Sequence, residues 1–362
     1  MKETVKQIFF TKNLLDWFDK NDRPLPWKGE KNPYYIWLSE IILQQTRVEQ
    51  GLPYFKKFKA TFPTVFDLAK APSDQVMKLW EGLGYYSRAR NLHFTAKFIA
   101  TELNGVFPNT YVAILGLKGV GPYTAAAIAS FAFELPHAVV DGNVYRVLSR
   151  VFGIETPIDT TVGKKEFKHL ADKLLAKDKA AIYNQAIMDF GATQCTPANP
   201  NCAICPMQKN CTAFAKKLIA TLPIKSKKIK KRNRFFNYLV FRQADTIILN
   251  KRQQKDIWLN LYDFPLVEAN NLLSEKALLA NDIFQKIIGN QTFTIKKVSK
   301  PFKQLLTHQK IVAVFWEIEL KSALPLNESS FFEVKQKNIN NFAFPKIVDL
   351  YFKDKSLYLE LF

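Results

Sequence analysis

Outside residues 195–211 the chain has no cysteine, and its 362 residues include only four histidines. Four thiols at Cys195, Cys202, Cys205 and Cys211, spaced C-x6-C-x2-C-x5-C, fit ligands of one inorganic centre in a reducing cytosol better than disulfides. No run of 18 apolar residues occurs, so no membrane span is expected. The start, Met1-Lys2-Glu3-Thr4, lacks the apolar core of a secretory signal, and a cytoplasmic location is expected. Internal repeats are absent, and the one biased tract is a short basic run. Of the histidines, His93, His137 and His169 read as ordinary surface or core residues, leaving only His308.

What is present is a globular composition, 48% hydrophobic, long enough for two or three domains with real cores. Lys and Arg total 52 against 32 Asp and Glu, a net charge of +20. That excess favours a polyanionic partner, nucleic acid first and an anionic membrane surface second. A Lys-rich composition from an AT-rich genome gives the same number, so charge alone decides little.

Residues 4 to about 220 carry apolar spacings that predict helices near 5–19, 35–46, 73–82, 88–104, 111–116, 122–133, 143–152, 164–175 and 179–190. Short Pro/Gly turns separate them. Residues 225–234, Lys-Ser-Lys-Lys-Ile-Lys-Lys-Arg-Asn-Arg, read either as a solvated linker or as a DNA contact. Beyond them Phe235–Arg242, Thr246–Lys251 and Ile311–Leu320 are strand-like, with helical segments near 274–288 and 345–352. The expected organisation is an all-α region over 1–224, a basic linker over 225–234 and an α+β domain over 235–362.

The segment Leu117-Lys118-Gly119-Val120-Gly121 joins two helical stretches, the second opening at Pro122, where a missing N–H costs nothing. Its glycines allow a tight hairpin, and the helix N-terminus behind them suits a phosphate. Alone, it is equally an ordinary helix–helix turn. About twenty residues on, Val140-Asp141-Gly142-Asn143-Val144-Tyr145-Arg146 places an aspartate where it reads locally as an N-cap.

Taken together, the hairpin, the aspartate and the cysteine loop over roughly residues 10–215 resemble the helix-hairpin-helix DNA glycosylases of the endonuclease III superfamily. Their signature is L-x-G-V-G followed by V-D-x-x-V-x-R. The resemblance implies a [4Fe–4S] cluster on the four cysteines; by ligand chemistry alone, a structural zinc remains open. Ser39-Glu40-Ile41-Ile42-Leu43-Gln44-Gln45-Thr46 resembles the MutY-type motif of the adenine glycosylase branch. Residues 258–265, Trp-Leu-Asn-Leu-Tyr-Asp-Phe-Pro, are similar to a segment of the Nudix-like domain that reads 8-oxoguanine in that branch, while the Nudix catalytic box is absent. The expected fold is therefore an all-α helix-hairpin-helix core with an iron–sulfur loop, followed by an α+β Nudix-like domain.

The same resemblance implies hydrolysis of the N-glycosidic bond of adenine opposite 8-oxoguanine or guanine in double-stranded DNA, by a monomer at the bacterial nucleoid. Glu40 would be the general acid and Asp141 the ionised stabiliser of the sugar cation, with Tyr123 and Asn143 orienting them. Read alone, Glu40 is just as well an exposed helical carboxylate. Tyr123 stands where lyase relatives carry a Schiff-base lysine, so a monofunctional enzyme leaving an abasic site is expected. Gln45 and Tyr85 would fill the space of the extruded base; the plain alternatives are a surface amide and a packed loop aromatic. Leu117, Gly119, Val120 and Gly121 would hold the backbone, and Lys118, Lys209, Lys216 and Lys217 its phosphates. Leu306, Thr307 and His308 stand where the family has Phe-Ser-His, and Trp27-Lys28 where it has Trp-Arg, a point charge in place of a planar fork. An endonuclease III-like lyase, a G:T mismatch glycosylase and a non-catalytic DNA-binding protein are the competing readings.

Overall fold

In the computed structural model, which describes residues 3–21, 23–226, 231–322, 324 and 330–354, no strand occurs among the described residues up to 226. The helices there are α1 (Glu3–Lys20), α2 (Pro33–Leu43), α3 (Val48–Thr61), α4 (Val65–Lys70), α5 (Ser73–Trp80), α6 (Ser87–Glu102), α7 (Tyr111–Leu115), α8 (Pro122–Phe133), α9 (Gly142–Phe152), α10 (Thr161–Leu174), α11 (Ala180–Asp189) and α12 (Thr212–Ala215). Three were not foreseen, α3, α4 and α12. Gly51 and Pro53 disguise α3, since proline removes an intrahelical donor. Gly51 packs closely on α2: a Cβ there would meet Leu43 Cδ2 at 2.9 Å, so that leucine would have to shift. Helix α2 stops at Leu43, short of the expected 46, because Gln45 adopts φ +55°.

The chain divides into two units, Met1–Lys70 with Asn91–Lys228, and Ala71–Arg90 with Ile229–Phe362. Residues 71–90 thus group with the C-terminal part, against the expected break at 224. The first unit has a core drawn from Phe10 and Leu14 of α1, Ala126 and Ala127 of α8, Val144, Val147 and Val151 of α9, Phe167 of α10, and Tyr183 and Ile187 of α11. Helix α8 is buried from Thr124 to Ser130, and five of those seven residues are alanine or serine. Small side chains let α2, α7 and α11 pack closely against it.

The second unit is built on two long parallel strands, β1 (Arg232–Gln243) and β7 (Gln309–Leu320), in register from Arg232↔Gln309 to Arg242↔Glu319. The other strands are β2 (Thr246–Lys251), β3 (Tyr262–Asp263), β4 (Leu266–Ala269), β5 (Phe293–Val298), β6 (Phe302–Leu305) and β8 (Phe331–Lys335). Antiparallel β2 and β4 flank β1, β5 and β6 flank β7, and β2 also pairs with β3 and β8. Both sheet faces are covered, so β1 and β7 read as nearly continuous apolar runs. Helices α13 (Glu275–Leu279) and α14 (Asp282–Ile288) put Leu278, Phe284 and Ile288 over Leu239, Phe241, Val314 and Trp316. On the other face α15 (Lys346–Phe352) stacks Tyr351 on Phe315 at 4.0 Å, and Phe315 on Tyr238 at 5.0 Å.

Lys227 to Lys230 of the expected linker lie outside the described residues. Arg232 to Arg234 already belong to β1, and the Arg234 guanidinium pairs with Glu268 at 2.7 Å and Asp256 at 3.3 Å, which takes these residues out of the expected linker. Within the same unit the 71–90 segment is clasped to the sheet. Asp74 accepts hydrogen bonds from Lys251 Nζ at 3.1 Å and Tyr262 Oη at 2.8 Å. Glu81 accepts from the Phe344 N–H at 2.7 Å, and Lys78 donates to the Phe342 carbonyl at 2.8 Å. Residues 258–264, the segment similar to part of the Nudix-like domain, lie largely inside: Trp258 is 2% exposed and Leu261 and Phe264 are fully buried.

Phe315 carries the aromatic stack. Phe315→Ala should cost about 3–5 kcal/mol, seen as a lower urea midpoint for the transition of this unit.

Candidate active site

A cavity of about 420 Å³ opens in the first unit, with Glu40, Tyr123, Asp141 and Asn143 on its wall. Glu40 reaches it from the middle of α2, a helix started by Asn32, whose side chain caps the Tyr34 N–H, and by Pro33. Almost every neighbour of Glu40 on that helix is apolar and buried, and Glu40 itself is only 7% exposed. The carboxyl is therefore pushed up to about 7, first by burial and then by the nearby Asp141, with Tyr123 opposing through a hydrogen bond. This removes the plain alternative of an exposed helical carboxylate.

Asp141 caps α9. One oxygen accepts the Val144 N–H at 2.8 Å and the other accepts Asn143 Nδ2 at 2.9 Å. Burial raises this carboxyl above the ordinary aspartate value, while these donors and Arg146 hold it back. An aspartate free of any upward shift is thus not what the structure has. Of the two acids, however, Asp141 carries the hydrogen bonds that favour the carboxylate form.

Asn143 in turn accepts from Arg146 Nη2 at 2.8 Å. Arg146 also donates to the Gly191 carbonyl and, through Nε, to the Cys195 carbonyl, both at 2.7 Å. One turn further along α9, Arg150 is 2% exposed and donates to the carbonyls of Thr196 at 2.7 Å, Pro197 at 3.0 Å and Leu222 at 3.2 Å, and to Cys195 Sγ at 3.5 Å. Sequence reasoning passed over Arg150, since an arginine on an amphipathic helix ordinarily faces water.

The four cysteines are reduced and at most partly exposed. Burial, then the neighbouring thiols, push Cys205 up to about 12 and raise Cys202 and Cys211. Backbone N–H groups of Met207, Ala213 and Phe214 point at the Cys205 and Cys211 sulfurs. Among the described residues no three His, Cys, Asp or Glu side chains stand close enough to share a single metal ion.

The hairpin has Leu117 and Val120 buried and Gly119 at φ +85°, where a Cβ would also strike Asn91 at 2.7 Å. Gly121 leads into α8 without any side-chain cap, so its first-turn N–H groups are presented at the hairpin. Lys118, Lys209, Lys216 and Lys217 are all exposed. Gln45 is exposed just past α2, and Tyr85, in the second unit, is 45% exposed at φ +47°; neither is a packed residue. Left-handed backbone at two large side chains is strain of the kind that collects at functional tips. Leu306, Thr307 and His308 form the turn between β6 and β7, with Thr307 Oγ1 2.7 Å from Tyr85 Oη. On the same cavity wall Lys28 Nζ and Gln185 Nε2 share the Asp189 carboxylate at 3.0 and 3.1 Å; Gln185 and Asp189 were not foreseen.

Residues 38–176, which include Glu40, the hairpin and Asp141, match the family model for HhH-GPD superfamily base excision DNA repair proteins. An adenine DNA glycosylase of Buchnera aphidicola subsp. Baizongia pistaciae is 35% identical over 344 residues, 92% of each chain. The Homo sapiens adenine DNA glycosylase is 41% identical over 221 residues, 59% of this chain and 40% of that one. Among solved structures, a thermostable thymine-DNA glycosylase superposes on 60% of this chain and all of its own, with a TM-score of 0.56 and 31% identity. With a relative matched over nearly its whole length, and both carboxylates inside the matched family region, the chain belongs to the adenine DNA glycosylases of the HhH-GPD base-excision repair superfamily.

Proposed function

We propose that this enzyme hydrolyses the N-glycosidic bond of adenine opposite 8-oxoguanine or guanine in double-stranded DNA and leaves an abasic site. The observation that carries the reading is a cavity with two carboxyls in unlike surroundings, one almost stripped of hydrogen bonds and one capped by them. Neutral adenine is a poor leaving group. A carboxyl still protonated near neutral pH can give a ring nitrogen its proton as the bond breaks, and that is the role of Glu40. The sugar becomes cationic, and the Asp141 carboxylate, aimed by the Val144 N–H and Asn143, stabilises it or bonds to it transiently. Glu40, now ionised, then helps activate water.

Tyr123 offers no amine for a Schiff base. Lys28, on the cavity wall, is engaged by Asp189 and the Arg23 carbonyl. Lys31, the other lysine on that wall, is paired with Glu134, and the reading is a monofunctional glycosylase. Extruding adenine costs a few kcal/mol of stacking and pairing, which Gln45 and Tyr85 would offset by filling the gap. Leu306, Thr307 and His308 would face the opposite base, with leucine in place of phenylalanine weakening an aromatic contact.

Cys195, Cys202, Cys205 and Cys211 fit a [4Fe–4S] cluster: four thiols gathered on one loop, backbone N–H groups directed at two sulfurs, and a guanidinium at a third. Such a cluster, when bound, supplies four iron–thiolate cross-links and a redox-active centre. The excision step itself uses only Glu40, Asp141 and their partners.

A panel of duplexes carrying A opposite 8-oxoguanine, G:A, G:T or thymine glycol, cleaved by alkali after incubation, tests the assignment. Strand breaks are expected at adenine in the first two only, and high-yield borohydride trapping of an adduct would contradict a monofunctional enzyme. Glu40→Gln should abolish excision while sparing duplex binding, and the parent rate should fall as pH rises through about 7, where Glu40 loses its proton. Because its folded-state value is raised, ionised Glu40 costs stability that grows between about pH 4 and pH 7, reaching the order of 3 kcal/mol. Glu40→Gln should therefore melt above the parent at about pH 8 and lose that advantage near pH 4. Cys202→Ser should lower bound iron and duplex affinity, leaving single-turnover excision at saturating enzyme nearly unchanged.

A further inference from the structure

Met188, near the end of α11, lines the same cavity as Glu40 and Tyr123, and the two-carboxylate scheme does not use it. Its Sδ accepts the Tyr123 hydroxyl at 3.4 Å. That hydroxyl is also within hydrogen-bonding reach of Glu40. A phenol has one proton to donate, so the two acceptors compete for it. A thioether is a neutral acceptor whose strength is the same at every pH, whereas a carboxyl becomes a strong acceptor only once ionised. A phenol given wholly to Glu40 would favour the carboxylate and oppose proton delivery. Met188 is also well anchored. Ile187 and Asp189 on either side are buried, and α11 runs directly into a π-helical turn, Phe190–Gln194, of the kind often found at functional sites.

We propose that Met188 is a positioning residue: by accepting the Tyr123 hydroxyl it draws the phenol off Glu40 and keeps that carboxyl in its acid form. The proposal rests on Glu40 being the general acid. Tyr123 from α8 and Asp141 from the cap of α9 are the groups that act on Glu40. The other charges on the cavity wall, Arg23, Lys28, Glu30, Lys31, Glu134 and Asp189, are the same in every variant below.

The test is the pH dependence of single-turnover adenine excision from a duplex with A opposite 8-oxoguanine. Met188→Leu keeps the volume and removes the acceptor. Its alkaline limb should move to lower pH by about one unit. In a Tyr123→Phe background the same substitution should leave the limb in place, because no phenol proton remains to redirect. Met188→Gln, which offers a stronger neutral acceptor, should move the limb upward and keeps the question open to measurement if the leucine variant does not fold. A limb that stays put in both single variants, or that moves equally with and without the phenol, overturns the role of Met188. Failure of the underlying assignment looks different: the parent then shows no alkaline limb, or Glu40→Gln retains excision.

Discussion

Two guanidinium groups one turn apart on α9 hold the first unit's chemistry and its cysteine loop in one rigid arrangement. Buried arginine must find acceptors for its five donors or cost several kcal/mol. Here the acceptors are backbone carbonyls of Gly191, Cys195, Thr196, Pro197 and Leu222. Apart from Gly191, in the π-helical turn Phe190–Gln194, those carbonyls sit outside helix and strand, so helix and loop satisfy each other. Arg146 adds Asn143, and Asn143 adds Asp141. The carboxylate is thus the last member of a polar chain that starts beside a cysteine.

Glu40 is the opposite case. It is set in an apolar stretch of α2, packed near the alanine-rich α8, and few groups satisfy it. A residue placed that way works against stability and persists because the surrounding packing of Trp37, Leu38, Ile41 and Ile42 outweighs it. The two acids therefore differ through local architecture alone: a helix centre raises one, and a helix start supplies donors to the other.

Much of this was legible in the residues. The cysteine spacing, the glycine hairpin and the two long β runs are local patterns, and the strands at 232–243 and 309–320 lie where aromatic and β-branched residues concentrate. What escaped was non-local. Helix α3 was hidden by Gly51, which lies close to Leu43, and by Pro53. Strands β3, β4, β6 and β8 are too short to show a period. Burial of Glu40 depends on what packs over α2, and the tethering role of Arg150 depends on a loop more than forty positions away. The grouping of residues 71–90 with the C-terminal part depends on Asp74, Lys78 and Glu81, which look like ordinary exposed charges of a short helix.

That grouping makes the second unit discontinuous in sequence. A cut through the basic stretch at 227–230 divides the polypeptide but not the folded units, since it strands α5 and Tyr85 without Lys251, Tyr262 and Phe344. An isolated N-terminal fragment would leave Asp74 without Lys251 and Tyr262, and would take the Phe344 N–H from Glu81 while leaving it Lys78. The C-terminal part could be exchanged between relatives only together with this twenty-residue insert, so drift at the sheet edge and drift in the insert are constrained to occur as matched pairs.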